Sequence, residues 1–549
     1  MLFTILSLIF SFVPLQSSAA PDLILYNGKI ITLNARSELA EAVAVRDGKF
    51  VAIGKTADIR RIAGPATRQI DLLGRTVTPG LADNHFHSIG GGPGVDLSRA
   101  RSIDDVLNAI RERAAKTPPG EVIVTNSDWH EGQLKETQLP YRKDLDRAAP
   151  NHPLVVVRGG HEYILNSAAL SKWNITESTR VPQGGSIGKD SDGKLNGELV
   201  DRAKNLVNLP ASPRVDAEQR IKDQVAEFQK LHAAGLTSIR YPGTTLEMWN
   251  TLQEMKRRGI LTMRVNVLFR VTGGPDGVDG TLARLGLKPD QGDEWIRAGG
   301  IKLGVDGGFE GGWMRDPYEE PWGQNGEFRG LQTYPTADYK GVVRALNRKG
   351  WRIATHAVGD AAIDLVLDAY EEANKESSIV GRRWSIEHAF IPHVEHFPRM
   401  KQLGLAISAQ NHLYLAAPSL KSYWGEKRAS WMTPMRAYID AGIPVSTGTD
   451  SAVVPYPPLW TLYHFITRNT ISGGVMGPDQ KITREEALRA ATLGNAYLTF
   501  EENSKGSIEV GKLADMVVLM EDILTCPEKN IENIQVAMTI VGGKVVFSR

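Results

Sequence analysis

Between about residues 80 and 480 helix-like and strand-like patterns alternate, and no other feature of this chain narrows its fold so far. AGLTSIR leads to the helical pattern TLEMWNTLQEMKRRG, then to TMRVNVLFRV and IKLGVDGG. Further on, DYKGVVRALNRKG precedes WRIATHAVG, AAIDLVLDAYEEANK precedes RRWSIEHAF, VEHFPRMKQLG precedes LAISAQ, and TPMRAYIDAG precedes IPVSTGTDS. Short apolar strands separated by helices of roughly ten to fifteen residues are βα units. Their number is enough to close a (β/α)8 TIM barrel, so the expected class is α/β. An open doubly wound sheet is the alternative, but no glycine-rich dinucleotide fingerprint accompanies these strands.

The flanks follow a different period. LILYNGKIITL, AVAVRDGKFVAIG and QIDLLGRTVTPG, between Asp22 and about Pro79, alternate apolar and polar residues between glycine turns. GSIEVGKLADMVVLM and IQVAMTIVGGKVVF repeat that alternation near the other end. Neither group can bury a core alone. Residues 22–79 and 481–549 are therefore expected to combine in one small β-sandwich domain, with the barrel, 80–480, inserted between them. Within the barrel, about 97–225 breaks the rhythm with EVIVTNSDWHEGQL, PLVVVRGGHEYILNSAAL and GGSIGKDSDGKLNGEL. This stretch reads as a long insertion at the barrel mouth that shapes a substrate pocket, or else as a solvent-facing elaboration.

Charge and cysteine content exclude several classes. Lys plus Arg number 64 against 63 Asp plus Glu, so a nucleic-acid partner held by bulk charge is not expected. Cys526 is the single cysteine, which rules out an internal disulfide, a Cys-rich zinc site or an iron-sulfur cluster. Residues 2–16 are uncharged and mostly apolar and run into Ser17-Ser18-Ala19-Ala20. That pattern predicts a signal peptide, 1–19, and a secreted or periplasmic protein with no stable membrane insertion after processing. A homodimer is compatible with the sequence.

His85 and His87 in PGLADNHFHS are spaced i, i+2, which places both imidazoles on one side of an extended chain. Alone, that spacing is a weak sign of metal and favours a surface or packing role. His356 ends RIATH, His388 ends WSIEH, Asp450 ends VSTGTD and Lys302 lies in GGIKLGVDGG, each at the carboxyl end of a separate expected strand. In a barrel these ends share one mouth, where active sites form.

PGLADNHFH, IKLGVDG, THAVGD, IEHA and GTDS, with AGLTSI and the late GKLADMVVL, resemble the metal-dependent amidohydrolase superfamily in content, order and spacing. GHEYILNSAAL resembles a segment of its YtcJ-like branch, which includes N-substituted formamide deformylase, and the likeness covers almost all of residues 22–549. The resemblance implies that His85, His87, His356, His388 and Asp450 bind a divalent metal, with zinc the leading candidate. It allows one or two ions, two being favoured with carbamylated Lys302 as the bridge. Asp450 would also move a proton between water and the leaving nitrogen.

The implied reaction is hydrolysis of a non-peptide C–N bond in a small amide-like substrate, foremost an N-substituted amide or formamide. The alternatives are a mononuclear deaminase or cyclic-amide hydrolase, and a noncatalytic exported ligand-binding protein. His161, Asn166, Arg315 and Gln410 are expected to contact substrate, and Trp129, Trp313 and Trp322 to form an aromatic wall if they are not core. Asp83 and Glu387 read as supports for the ligands, and His393 and His396 as surface residues at helical spacing. Two departures from the branch fall near the expected mouth: GGFEGGWM after Asp306, and Asn411 where proline is usual. Both bear on substrate more than on metal.

Overall fold

The computed structural model describes residues 20–210 and 215–549. The signal-peptide expectation lies outside these residues. Eight parallel strands follow one another in a single sheet: β1 (Leu81–Asp83), β2 (Leu236–Thr244), β3 (Arg264–Arg270), β4 (Ile296–Gly304), β5 (Ile353–Ala357), β6 (Ser385–His388), β7 (Ala406–Gln410) and β8 (Val445–Gly448). A parallel bridge between Phe86 and Ser451 brings the last strand back to the first, beyond their regular ends. The expected TIM barrel is therefore the fold. Its strands are buried on both faces, as the unbroken burial of Arg264–Phe269 illustrates, and this is why they read as apolar runs rather than alternating ones.

Helices cover the outside. Asp216 caps α1 (Ala217–Ala233) by accepting from Gln219 N, and Thr245 caps α2 (Leu246–Arg257) by accepting from Met248 N; each such cap stabilises by about 1 kcal/mol. The pattern at α1 reads from sequence as the end of the insertion. Its Ile221, Phe228 and Leu231 instead enter the barrel core, so it serves as the crossover between β1 and β2.

The two flanks meet as expected. Thr76–Pro79 pairs antiparallel with Met516–Leu519 inside a six-stranded sheet, and a four-stranded sheet built on Leu23–Tyr26 covers it. Leu25, Val43 and Phe50 pack with Val77, Met516 and Ile540 in one apolar cluster between the sheets. The insertion carries its own five-stranded sheet, which includes Leu154–Arg158, Glu162–Leu165 and Leu195–Asp201. Among the described residues, no helix is long and apolar enough to cross a membrane.

Candidate metal centre

The carboxyl ends of β1, β4, β5, β6 and β8 bring His85, Lys302, His356, His388 and Asp450 to one wall of a cavity of about 620 Å³. The HxH pair lies just past β1, which ends at Asp83. Asp450 N donates to His85 O at 2.7 Å, and this backbone contact couples the two chain segments that close the barrel. Gly448 makes the approach feasible: a Cβ there would sit 2.3 Å from Asn84 Oδ1.

Hydrogen bonds orient the ligand candidates. His85 Nδ1 donates to Glu387 Oε2 at 2.6 Å, which turns Nε2 toward Lys302 Nζ at 3.3 Å and Asp450 Oδ1 at 3.6 Å. Glu387 is itself fully buried and held by Arg240 Nη1 at 2.9 Å and by Ser385 Oγ at 2.6 Å. His356 Nε2 donates to Gly307 O at 3.0 Å, leaving its Nδ1 lone pair free to bind. Among the described residues, His388 Nδ1 is buried with no hydrogen-bond partner. Its ring lies 4.8 Å from that of His85 and 4.5 Å from that of His356, centroid to centroid.

Burial decides the charge states. It pushes His85 down to about 4, helped by the Lys302 charge, and holds His356 and His388 well below the usual imidazole range. These rings are therefore neutral near pH 7, the form that ligates metal. Burial also opposes ionisation of Asp450, but hydrogen bonds from His412 and His87 help to keep the carboxylate charged. Lys302 is drawn down to about 8, mainly by burial.

One ligand atom each from His85, His388 and Asp450 lie within 4.8 Å of one another. Ligands about 2.0–2.2 Å from a shared ion lie up to about 4.4 Å apart, so only a small contraction is needed. Neutral imidazoles, an ionised carboxylate and an orphaned buried nitrogen form a donor set that fits a divalent ion. His87 is more exposed, with Nε2 3.1 Å from Asp450 Oδ1.

The expected substrate contacts divide. His161 faces the cavity, stacks on His356 at 5.6 Å and donates Nδ1 to Asp201 Oδ1 at 2.6 Å. A Cβ on Gly308 would come within 2.8 Å of this ring, so glycine lets the loop after β4 pass beside it. The other three expectations are corrected. Asn166 is buried as the N-cap of Ser167–Lys172, and its amide donates to Ala149 O and His152 O. Arg315 is taken up by Asp364, Glu395 and His396. Gln410 is fully buried, donating to Ser408 Oγ at 2.9 Å, and lies outside the cavity lining.

Among the tryptophans, Trp129 is core and donates to Val157 O, Trp313 packs against the barrel core, and Trp322 lines a separate cavity. His396 is buried rather than on the surface, while Asp83 supports the site by accepting from Thr449 and from His85 N. His412 goes unread in the sequence although its Nε2 lies 3.2 Å from Asp450 Oδ2. Its position two residues past Gln410, the end of β7, repeats that of His85 past Asp83, the end of β1.

Farther out, Arg202, Lys204 and Arg270 give the cavity a cationic rim. Its carboxylates are engaged elsewhere: Asp201 by His161, Asp450 by histidines, and Asp306 by the N–H groups of Trp313, Val358 and Gly359. Beside His388 and Asp450 a recess of only about 30 Å³ opens, walled by Phe309, Val358 and Phe390.

A family model described as the amidohydrolase family matches residues 68–547. N-substituted formamide deformylase of Arthrobacter pascens is 29% identical over 96% of this chain and 98% of its own length. Protein LONG AFTER FAR-RED 3 of Arabidopsis thaliana is 28% identical over 96% of this chain and 91% of its own. The solved structure of an uncharacterized metal-dependent hydrolase from Pyrococcus furiosus has a TM-score of 0.65 at 25% identity, covering 92% of this chain and 100% of that one. With barrel, strand-end donors and family match in agreement, the chain belongs to the amidohydrolase family and is an enzyme, a metal-dependent amidohydrolase.

Proposed function

We propose that this enzyme hydrolyses the C–N bond of an N-substituted amide, preferentially a formamide. The observation that carries the reading is the convergence of His85, His388 and Asp450, with His356 and Lys302 beside them, on the floor of one large cavity. The choice of a small acyl group is supported by the recess of about 30 Å³ next to His388, room for few atoms beyond a formyl group, whereas the main cavity offers about 620 Å³ to the nitrogen substituent. The same chemistry bears the name of the Arthrobacter relative.

His85, His87, His356, His388 and Asp450 would hold the metal, with zinc the best match for an imidazole and carboxylate set. When bound, such an ion supplies a nucleophile at neutral pH and polarises the substrate carbonyl. Asp450, kept ionised with the help of His412 and His87, accepts a proton from the attacking water and returns it to the departing nitrogen, which would otherwise leave as a poor amide anion. His161, steadied by Asp201, presents its Nε2 to substrate oxygen. Lys302, once carbamylated, would join the residues that hold the metal. Its burial beside His85 favours the neutral amine that this modification requires.

The test is amine release from a formamide, acetamide and butyramide series sharing one substituent, before and after chelation and metal restoration. Turnover should vanish on chelation and return with metal, and kcat/KM should fall by about tenfold or more for each step that overfills the recess. Full activity in metal-free protein would sink the reading, as would ammonia as the only nitrogen product. Bicarbonate during reconstitution should raise metal content toward two per chain, and Lys302→Ala should lose that increment.

Glu387 offers a separate check. Glu387→Gln leaves the shape but removes the charge that Arg240 and His85 share, so metal affinity should fall by about 10–100-fold. Competition against a chromogenic chelator measures this without turnover. Export is proposed as well: N-terminal sequencing of the mature protein should begin at Ala20.

A further inference from the structure

A second cavity, of about 780 Å³, opens between the insertion and the loop after β4, and its chemistry opposes that of the catalytic mouth. Its walls are aromatic: Tyr141, Tyr318, Trp322, Phe328 and Tyr423 line it, with Trp322 edge-on to Tyr423 at 4.9 Å. Its outer charges are balanced or exposed. Glu177 and Lys189 face solvent, and Asp190 pairs with Lys143 at 2.7 Å. Its inner charges, Glu198 and Glu310, are buried carboxylates.

Behind them the ion count does not balance. Arg158, itself buried, lies 2.9 Å from Glu131, 2.8 Å from Glu162 and 3.2 Å from Glu310. Glu162 in turn lies against Glu198. One guanidinium thus contacts three buried carboxylates, and a fourth, Glu198, borders them. Among the described residues, Glu310 Oε1 is buried with no hydrogen-bond partner. Buried negative charge without a counter-charge is costly, and a shared proton between Glu162 and Glu198 offsets only part of it. Glycine shapes the approach, since a Cβ on Gly188 would lie 2.4 Å from Glu198 Oε2.

We infer that this cavity binds an organic ammonium ion, its charge against Glu198 and Glu310 and its apolar body against the ring of aromatics. Aromatic faces attract cations and also cover hydrocarbon, a combination a bare metal ion does not need. The two cavities also differ in charge, since Arg202, Lys204 and Arg270 line the catalytic one and do not line this one. Glu310 borders both the second cavity and the recess beside His388. An amine released by C–N cleavage has the required chemistry, and that role in turnover rests on the reaction proposed above; the binding itself does not.

The test is calorimetry on the full chain, metal-stripped so that the outcome is independent of activity, with 2-phenylethylammonium and its neutral counterpart 2-phenylethanol. One ammonium should bind per chain, at least tenfold more tightly than the alcohol. Glu198→Gln should weaken the ammonium by at least tenfold and leave the alcohol unchanged, Trp322→Leu should weaken both, and Asp450→Asn should weaken neither. Equal affinities for the two probes in the wild type would overturn the proposal even if Glu198→Gln failed to fold. Binding lost in Asp450→Asn would place the cation in the catalytic cavity and overturn it too, as would calcium binding that is lost in Glu198→Gln while the ammonium does not bind.

Discussion

Asp450→Asn is expected to lower kcat/KM by about 10³-fold while the protein keeps most of its metal. Removing a general acid-base group costs about 10²–10⁴-fold, and this one is asked to act twice, on water and on the leaving nitrogen. The substitution preserves size and one oxygen, so contacts from His87 at 3.1 Å and His412 at 3.2 Å can persist in part. His85 and His388 still offer their nitrogens. A group that only ligates would behave differently, with activity and metal content falling together and excess metal restoring both. The decisive measurement is therefore kcat alongside metal per chain, at increasing metal concentration. Activity restored to within a few-fold by excess metal would reduce Asp450 to a ligand. His388→Ala provides the contrast, since loss of an imidazole should empty the site.

That site was readable in the sequence because its information is local. His85 and His87 share one side of an extended chain, a weak signal alone, and His356, His388, Lys302 and Asp450 stand at the ends of apolar runs, which a barrel gathers without further instruction. His412 carried a comparable signal beside Gln410. The misplaced residues have a common cause. An amide or guanidinium is equally suited to substrate, a helix cap or an ion pair, and only tertiary packing chooses. Asn166 went to a cap and Arg315 to Asp364 and Glu395.

Long-range pairings left even less trace. Asp201 meets His161 across 40 residues, and Arg158 meets Glu131 across 27 and Glu310 across 152. The sandwich fared better, since matching alternation at the two ends of a chain is itself a long-range signal. The boundary at α1 was obscured because a charged outer face resembles an exposed insertion, although Ile221, Phe228 and Leu231 recur on one side.

The join between barrel and sandwich leads to the second large effect: Asp515→Ala should destabilise the protein by about 3–5 kcal/mol. Asp515 precedes the sandwich strand Met516–Leu519, and Arg264 begins β3 at the barrel end opposite the metal centre. Arg264 Nε and Nη2 reach Asp515 Oδ2 at 2.6 Å and Oδ1 at 3.0 Å, a two-point contact with both partners buried. The remaining polar atoms are also engaged, Nη1 by Glu294 O and Oδ1 by Gly542 N, while the guanidinium lies over Trp295. Truncating the aspartate strands a charge that cannot rotate into water, and the cost reflects that stranded cation rather than the worth of the pair. Arg264→Met with Asp515→Ala removes both charges, and the double variant should therefore recover at least 2 kcal/mol relative to the sum of the single changes. Urea unfolding followed by circular dichroism measures each value, with any separate sandwich transition fitted on its own. kcat should stay within about twofold of wild type in all three variants, because the pair lies the length of a strand from the candidate metal ligands. A cost below about 1 kcal/mol for Asp515→Ala would mean that water reaches Arg264, and that the sandwich is held to the barrel by its apolar contacts alone.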